Sequence, residues 1–547
     1  MKHISLKRCA ATLILAIAAI SASNAQTAEI ISADAHSVGY KDNFHKIAFS
    51  NEHGTYCLRV ENYKPHIERL NAEMKVEKAV SFDIVEKRDG GVSKVIHDLL
   101  RIKNNIWVFS AIYYRKTKET AFVAQKIDPI SLNYTSPEIE LGRNKQTYFH
   151  SHNETIARQV VNKETDDIIA SVLQSAFIAT SDNSSLILYM NDYNLNILNK
   201  PEAIKLMAFD DEMKKLWETE KVFNYNANDL TIIKIVADSK TNVFMVAESR
   251  SKGKTTIVLG GITSTAVTPL LLTFTDQGKT AKEFTLKYTG ITIAQLNPAI
   301  SINSKLILTG TEVDKNARAT GVYCGVFDIN TLAFTSQTVF PFGAEFVKED
   351  LSSSKQAAVD KKADKGKEPS IENLFYNNSI VADDGTLYVA FAEGREIYSN
   401  ETGVNLLAGY YHRRYLIFGF DTDGKQKWKN KITRASLGEL NLGKFNNHCA
   451  LMLVNNALCA VYFDDPKENE FQSVNSETSK ATDNAGIVLA MIDKATGNVS
   501  KHLLYSSSRL TDNLPYISHS LVKSTKELFF CCYRQNKYYQ YGLIKFK

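Results

Sequence analysis

The sequence predicts an all-β chain folded as a β-propeller of seven four-stranded blades, tied shut by an N-terminal strand. Three observations lead there. One hairpin is written the same way seven times, an aspartate-marked hairpin lies between successive copies, and the last unit is one strand short.

The first hairpin reads strand, tight polar turn, strand. It appears as LLRIKNNIWVF around Asn104, AFIATSDNSSLILYM around Asp182, KIVADSKTNVFMVAE around Ser239 and AISINSKLILTG around Asn303. It returns as SIVADDGTLYVAF around Asp384, ALMLVNNALCAVYF around Asn455 and SLVKSTKELFFCCY around Ser524. β-Branched and aromatic residues flanking Asn, Asp, Ser or Gly are the pattern of a hairpin.

The second hairpin carries an aspartate at its turn: Asp128, Asp210, Asp276, Asp328, Asp421 and Asp493. At Asp421-x-Asp423-Gly424 it imitates the opening of a calcium loop, but the twelfth position, where a glutamate is required, is Ile432. The recurring aspartate is therefore expected to accept backbone N–H groups across a turn. After the seventh first-type hairpin only KYYQYGLIKFK remains, one strand where two are needed. TYCLRVENYKPHIERL, near the N-terminus, reads as a second-type hairpin or its outer strand, and an N-terminal strand added to the last blade would remove open edges.

The stretch FGFDTDGKQKW, Phe418 to Trp428, resembles the repeat of quinoprotein-type (PQQ-like) propellers, in which Asp, Gly and Trp mark the junction of two blade strands. AMIDKATG, Ala490 to Gly497, is similar but has Lys501 at the expected tryptophan, and Trp217 gives a third partial match. The resemblance implies fold more than activity. It also draws attention to Cys531-Cys532, because dehydrogenases of that family carry an adjacent cysteine pair beside the quinone. Within ELFFCCY, however, successive side chains point to opposite faces, so a pair embedded in a strand is expected.

Lys2, Lys7 and Arg8, the apolar run Ala10–Ile20 and Ser23-Asn24-Ala25 have the form of a cleavable signal over residues 1–25, which implies export to the periplasm or beyond. Residues 26–547 are then one propeller domain, with a polar, mobile insertion expected at 345–375. The formal charge of +5 falls to about +2 without the three signal-region bases, which gives no support to nucleic-acid binding. No later run is long enough to span a bilayer, and a monomer is expected. Six cysteines outside the signal are too sparse for a disulfide scaffold.

In such a ring the turns inside both hairpins share one rim, and the other links share the opposite rim. The longer links, 142–167, 249–268, 345–375, 393–409 and 464–485, all belong to the second set, which marks that rim as the working one. Two groups of residues on it are candidates. His150, His152 and Glu154 of YFHSHNE share one side of an extended segment and could hold a divalent metal; no other cofactor is expected. Tyr410, Tyr411, His412, Arg413 and Arg414, with Tyr538 and Tyr539 in the last blade, could stack on sugars or clasp an acidic glycan or peptide.

No G-x-S-x-G elbow, phosphate loop, HExxH or CxxC is present. The expected function is non-catalytic binding of a protein or glycan through the long-loop rim. The alternative is an enzyme with its site in the central funnel, a glycan hydrolase or lyase or a degenerate quinoprotein.

Overall fold

Runs such as Asn105–Tyr114 (NIWVFSAIYY) and Ala319–Asp328 (ATGVYCGVFD) are apolar on both sides, so sheets built from them must be covered on both faces. The computed structural model meets that demand with a ring of sheets. It describes residues 28–546 apart from 146–174, 192–200, 400–405, 440–448, 465–485, 507–516 and shorter interruptions in the links.

There are eight blades, not seven. In chain order they comprise residues 43–81, 92–145, 175–226, 230–285, 292–341, 374–439, 449–506 and 517–546, each strand antiparallel to the next. The first strands of successive blades touch around a closed circle, and the first strand of blade 1, Asn43–Asn51, touches that of blade 8, Ile517–Ser524. An apolar cluster fills every one of the junctions between neighbouring blades, including blade 8 with blade 1.

The overlooked unit is blade 1. TYCLRVENYKPHIERL is its second and third strands, Gly54–Glu61 and Lys64–Leu70, rather than an outer hairpin. Asparagine does the work of aspartate in its turns. Asn51 Oδ1 accepts His53 N at 2.8 Å, and Asn71 Oδ1 accepts Glu73 N and Lys75 N at 2.9 and 3.0 Å. Its first strand carries register shifts at Phe44/Lys46 and Ile47/Phe49, which break the alternation a reader looks for. The strand that completes blade 8 comes from further upstream: Ala28–Ser32 pairs antiparallel with Tyr538–Phe546, and His36–Ser37 continues along the same partner.

Burial follows position in the blade. Leu374–Val381, a first strand, is half-buried almost throughout, while the second strand Leu186–Asn191 is buried along its length. Fourth strands such as Val76–Ser81 and Thr280–Thr285 are largely exposed. First strands range from half-buried in blade 6 to almost fully buried at Cys449–Val454 in blade 7, and fourth strands face outward.

The rim of short turns is built for rigidity. The carboxylates of Asp128, Asp210, Asp328, Asp421 and Asp493 each accept two backbone N–H groups at 2.7–3.0 Å. Asp276 differs: it stands with Gln277 and Gly278 at positive φ. These compact turns are footholds for the preceding blade. Trp107 Nε1 donates to Asp211 O at 3.2 Å, Trp217 Nε1 to Thr241 Oγ1 at 2.8 Å and Trp428 Nε1 to Lys494 O at 2.8 Å. Gly497, at φ 77°, underlies the Trp428 ring so closely that a Cβ would lie 2.6 Å from it.

Among the described residues, the link between blades 5 and 6 leaves by the opposite rim. Two helices, α1 (Ala344–Lys348) and α2 (Ser353–Ala363), occupy the segment between blades 5 and 6. Phe346 packs against Phe418 and lies beneath both Lys429 and Lys431, at 5.0 and 4.6 Å from its ring centre. Lys429 Nζ also donates to Phe342 O at 2.6 Å. Burial lowers the Lys429 pKa.

Two outcomes follow. Trp428→Ala removes a buried ring and its hydrogen bond and should cost about 3–5 kcal/mol in denaturant unfolding, whereas Trp428→Phe should cost clearly less. Ile30→Pro, which breaks the pairing of Ile30 with Ile544, should lower the thermal midpoint by ~5 °C or more in calorimetry, whereas Ile30→Val should leave it nearly unchanged.

Candidate functional site

Blade 6 departs from the others on the rim of long links. Its first strand is Leu374–Val381, 8 residues, but the next three are Leu387–Ser399, Leu406–Phe420 and Gln426–Glu439, of 13, 15 and 14 residues. Pairing with the first strand ends at Leu374 opposite Glu393. Beyond that point the other three run on together, with Gly394 opposite His412, Arg395 opposite Tyr411, and Tyr411 in turn opposite Leu437. Six residues from Gly394 to Ser399 carry this three-stranded extension about 20 Å past the blade. Register shifts at Glu393/Gly394 and His412/Arg414 fall where it leaves the body of the blade.

The structure therefore gathers Tyr410, Tyr411, His412 and Arg413 into the extension, where their backbone positions are described. Arg414 sits at its root. Its side chain is 1% exposed and forms an ion pair with Glu393, its cross-strand neighbour. Its guanidinium thus fastens the base of the extension to the adjoining strand.

Tyr538 and Tyr539 lie elsewhere, at the seam where blade 8 meets blade 1 and the N-terminal strand. Tyr538 pairs with Ser37 and Arg534. The Tyr539 ring is buried, stacks on His36 at 4.9 Å and lies 5.1 Å from the Arg59 guanidinium carbon. Arg59 in turn reaches Glu68 at 2.9 Å and Glu61 at 2.8 Å, and Tyr541 donates its hydroxyl to Glu68 at 2.6 Å. Burial pushes the pKa of both tyrosines up, which keeps the phenols protonated. These residues belong to ring closure and are not part of the blade 6 extension.

His150, His152 and Glu154 lie outside the described residues. Among the described residues, no group of three or more His, Cys, Asp or Glu is placed to hold a metal ion. Asp423, the second carboxylate of the calcium-like turn, pairs with Lys305 at 3.1 Å. Cys531 is buried, as are Cys57, Cys324, Cys449 and Cys459, and burial raises the Cys324 and Cys459 thiols to about 12.

Sequence reasoning overlooked a second feature, a polar girdle around the axis. Six first strands carry a bulge, with shifts at Phe44/Lys46, Ile96/Asp98, Ile232/Lys234, Ala294/Asn297, Tyr376/Asn378 and Ile517/His519. The residue after each bulge is polar. Lys46 pairs with Asp98 of the next blade and Lys234 bonds Asn297 of the next. Asn297 continues to Tyr376 Oη at 2.7 Å, and Asn378 to Cys449 O at 3.2 Å. The clue in the sequence was the same in each case: a polar residue interrupting an apolar first strand, as in FHKIAF, IHDLL and QLNPA.

The buried carboxylates are committed to internal partners. Glu68 serves Arg59 and Tyr541, Asp98 serves Lys46, and Glu393 serves Arg414. Glu312 accepts Thr289 N at 2.7 Å and Gly290 N at 2.6 Å, pinning the link into blade 5.

These features define an eight-bladed β-propeller with one rigid rim and one elaborated rim. No protein-family profile matches the sequence, and no curated protein matches it. Among solved structures the chain is similar to the Dos1 propeller, at 8% identity over 94% of this chain and 95% of that one, with a TM-score of 0.43. It is also similar to the WD40 domain of SCAP from fission yeast, at 8% identity over 95% and 94%, TM-score 0.38. A polysaccharide lyase of family PL25, an ulvan lyase, is similar at 9% identity over 93% and 95%, TM-score 0.35. No helix among the described residues is long and apolar enough to cross a membrane.

Removing one member of the buried pair should be costly: Arg414→Met alone should destabilise by about 3–5 kcal/mol, and the double change Arg414→Met/Glu393→Leu should recover much of that in denaturant titrations. Acid should act through the turns. Backbone N–H groups of Ser131, Thr331, Thr386 and Thr496 hold Asp128, Asp328, Asp384 and Asp493 below the usual carboxylate range. Each lowered value contributes stability that is complete above the unfolded-state pKa, about 4, and is lost as pH falls through the folded-state value. Asp328→Asn/Asp493→Asn should therefore show a shallower loss of thermal midpoint between pH ~4 and ~2 than the unaltered chain.

Proposed function

We propose that this is an exported, monomeric, non-catalytic propeller that binds a protein or glycan partner on its long-link rim, centred on the blade 6 extension. The observation that carries this reading is the extension itself. Three strands run past the blade together, rooted by the buried Arg414–Glu393 pair, and hold tyrosine, histidine and arginine positions clear of the ring. A rigid sheet that carries aromatic and basic residues beyond the scaffold suits recognition, because little order has to be imposed on binding.

An enzyme with its site in the central funnel, a glycan hydrolase or lyase or a degenerate quinoprotein, is the second reading, and a glycan-cleaving acid there would need a carboxyl with a raised pKa. The tryptophan footholds on neighbouring turns support kinship with quinoprotein-type repeats in how blades are joined. A divalent site at His150, His152 and Glu154 stays a separate proposal, to be tested by metal analysis of His150→Ala.

The test replaces residues 395–412 with Asn-Gly and compares both proteins on arrays of neutral and acidic polysaccharides and of peptides. The shortened protein should keep its thermal midpoint within a few degrees and lose the ligands bound by the full chain. Equal binding by both proteins, or release of new sugar ends from a bound glycan, would overturn the reading.

A further inference from the structure

The link between blades 5 and 6 is an exposed helix on a fixed mount. Its two ends meet on blade 5: Phe342 N donates to Thr320 O at 3.0 Å, and Ile371 exchanges backbone hydrogen bonds with Ala319 at 2.8 and 2.9 Å. Between them α1 is sunk into the junction of the two blades, with Phe342 and Val347 buried and Phe346 against Phe418. α2 is held to α1 by polar contacts. Lys348 pairs with Asp360 at 3.1 Å, and Gln356 Nε2 donates to Lys348 O and Leu351 O at 3.3 and 2.9 Å. None of the 11 residues of α2 is buried.

What α2 presents outward is lysine. Lys355, Lys361, Lys362, Lys365 and Lys367, on the helix and the turn after it, are all exposed. Among the described residues none of them has a carboxylate partner. Of the acids in the same stretch Asp360 is taken by Lys348, which leaves Asp364 and Glu368 against these lysines. The helix dipole accounts for Lys361 and Lys362 in the last turn. It does not account for Lys355, which stands in a first turn that holds no acid.

We propose that α2 is an electrostatic dock for an acidic polysaccharide. This rests on the reading that the long-link rim takes the partner, and it names that partner's charge. Beside its lysines the exposed side of α2 offers Ser354, Ala357 and Ala358, and it lacks the aromatic or arginine anchors around which protein interfaces are built. A linear polyanion needs no such anchor. It gains by releasing counterions to point charges, which ammonium groups on flexible stems supply. Lys355 and Lys362 lie two turns apart on one side of the helix, about 10 Å along its axis, so an extended chain can meet both. Phe346, packed on Phe418 beneath Lys429 and Lys431, keeps this array beside the blade that carries the extension.

The test is titration of the full chain with polygalacturonate and dextran sulfate, with dextran as the neutral control. Both polyanions should bind more tightly than dextran. Their affinity should fall roughly tenfold or more as salt shortens the screening length from ~10 Å at 0.1 M to ~3 Å at 1 M. Changing Lys355, Lys361, Lys362, Lys365 and Lys367 together to glutamine should weaken binding roughly tenfold or more. The thermal midpoint should stay unchanged, because these side chains are exposed and glutamine keeps the helix propensity of lysine. Asp364→Asn/Glu368→Gln should tighten binding. No affinity of the unaltered chain for either polyanion, equal affinity for dextran, or full binding by the glutamine variant would overturn the proposal. A preference for polyglutamate or single-stranded DNA over both polysaccharides would overturn it too. Polyanion binding that survives replacement of 395–412 but not the lysine changes would uphold this dock and sink the blade 6 reading. Binding lost with 395–412 and indifferent to the lysines would do the reverse.

Discussion

Contact between the apolar faces of neighbouring blades is the interaction on which the rest of the molecule depends. A sheet whose second and third strands are apolar on both sides cannot be covered by one partner alone. It needs a neighbour on each face, and those neighbours have the same need. Only a closed ring leaves no sheet uncovered, and all the junctions here are filled, from Tyr56 and Val108 between blades 1 and 2 to Tyr541 and Cys57 between blades 8 and 1. Nothing in this requires a particular local sequence beyond the right volume, which is why the blades can differ so much from one another.

Polar contacts then decide how the ring is keyed. They occur at two radii. Near the axis, bulges turn Lys46, Asp98, Lys234 and Asn297 towards the adjacent first strand. On the short-turn rim, tryptophans press on the turns of the next blade and donate hydrogen bonds to them. The seam between blade 8 and blade 1 is keyed by Arg59, Glu68, Tyr539 and Tyr541, in mutual contact beneath the N-terminal strand. The closing strand there is short, 5 residues, so these contacts add to its pairing. With one rim fixed in this way, the other is free to carry extensions that the scaffold does not need.

Much of the fold was legible. The hairpins of blades 2 to 8 could be read because their strands are apolar and their turns use Asp, Asn, Ser or Gly, whose side chains or backbone freedom suit a tight reversal. Blade 1 was missed because bulges disrupt its first strand and asparagine replaces the aspartate of its outer turn. The recurring aspartate was correctly read as a turn residue, but what rests on two of those turns was invisible: Trp107 and Trp428, each from another blade, reach the Asp210 and Asp493 turns.

The candidate site was legible only as a place. GYYHRRY stood out as an aromatic and basic cluster on a long link, yet nothing in it says that Arg414 would be consumed by Glu393 or that two further strands would accompany it outward. Strand patterning, turn chemistry and the rim assignment are local or nearest-neighbour properties, so the sequence by itself determined them. The number of blades, the axial girdle, the buried ion pairs and the reach of the blade 6 extension depend on which distant residues meet. Only the tertiary structure decided those, because closing a ring is a condition on all the blades at once.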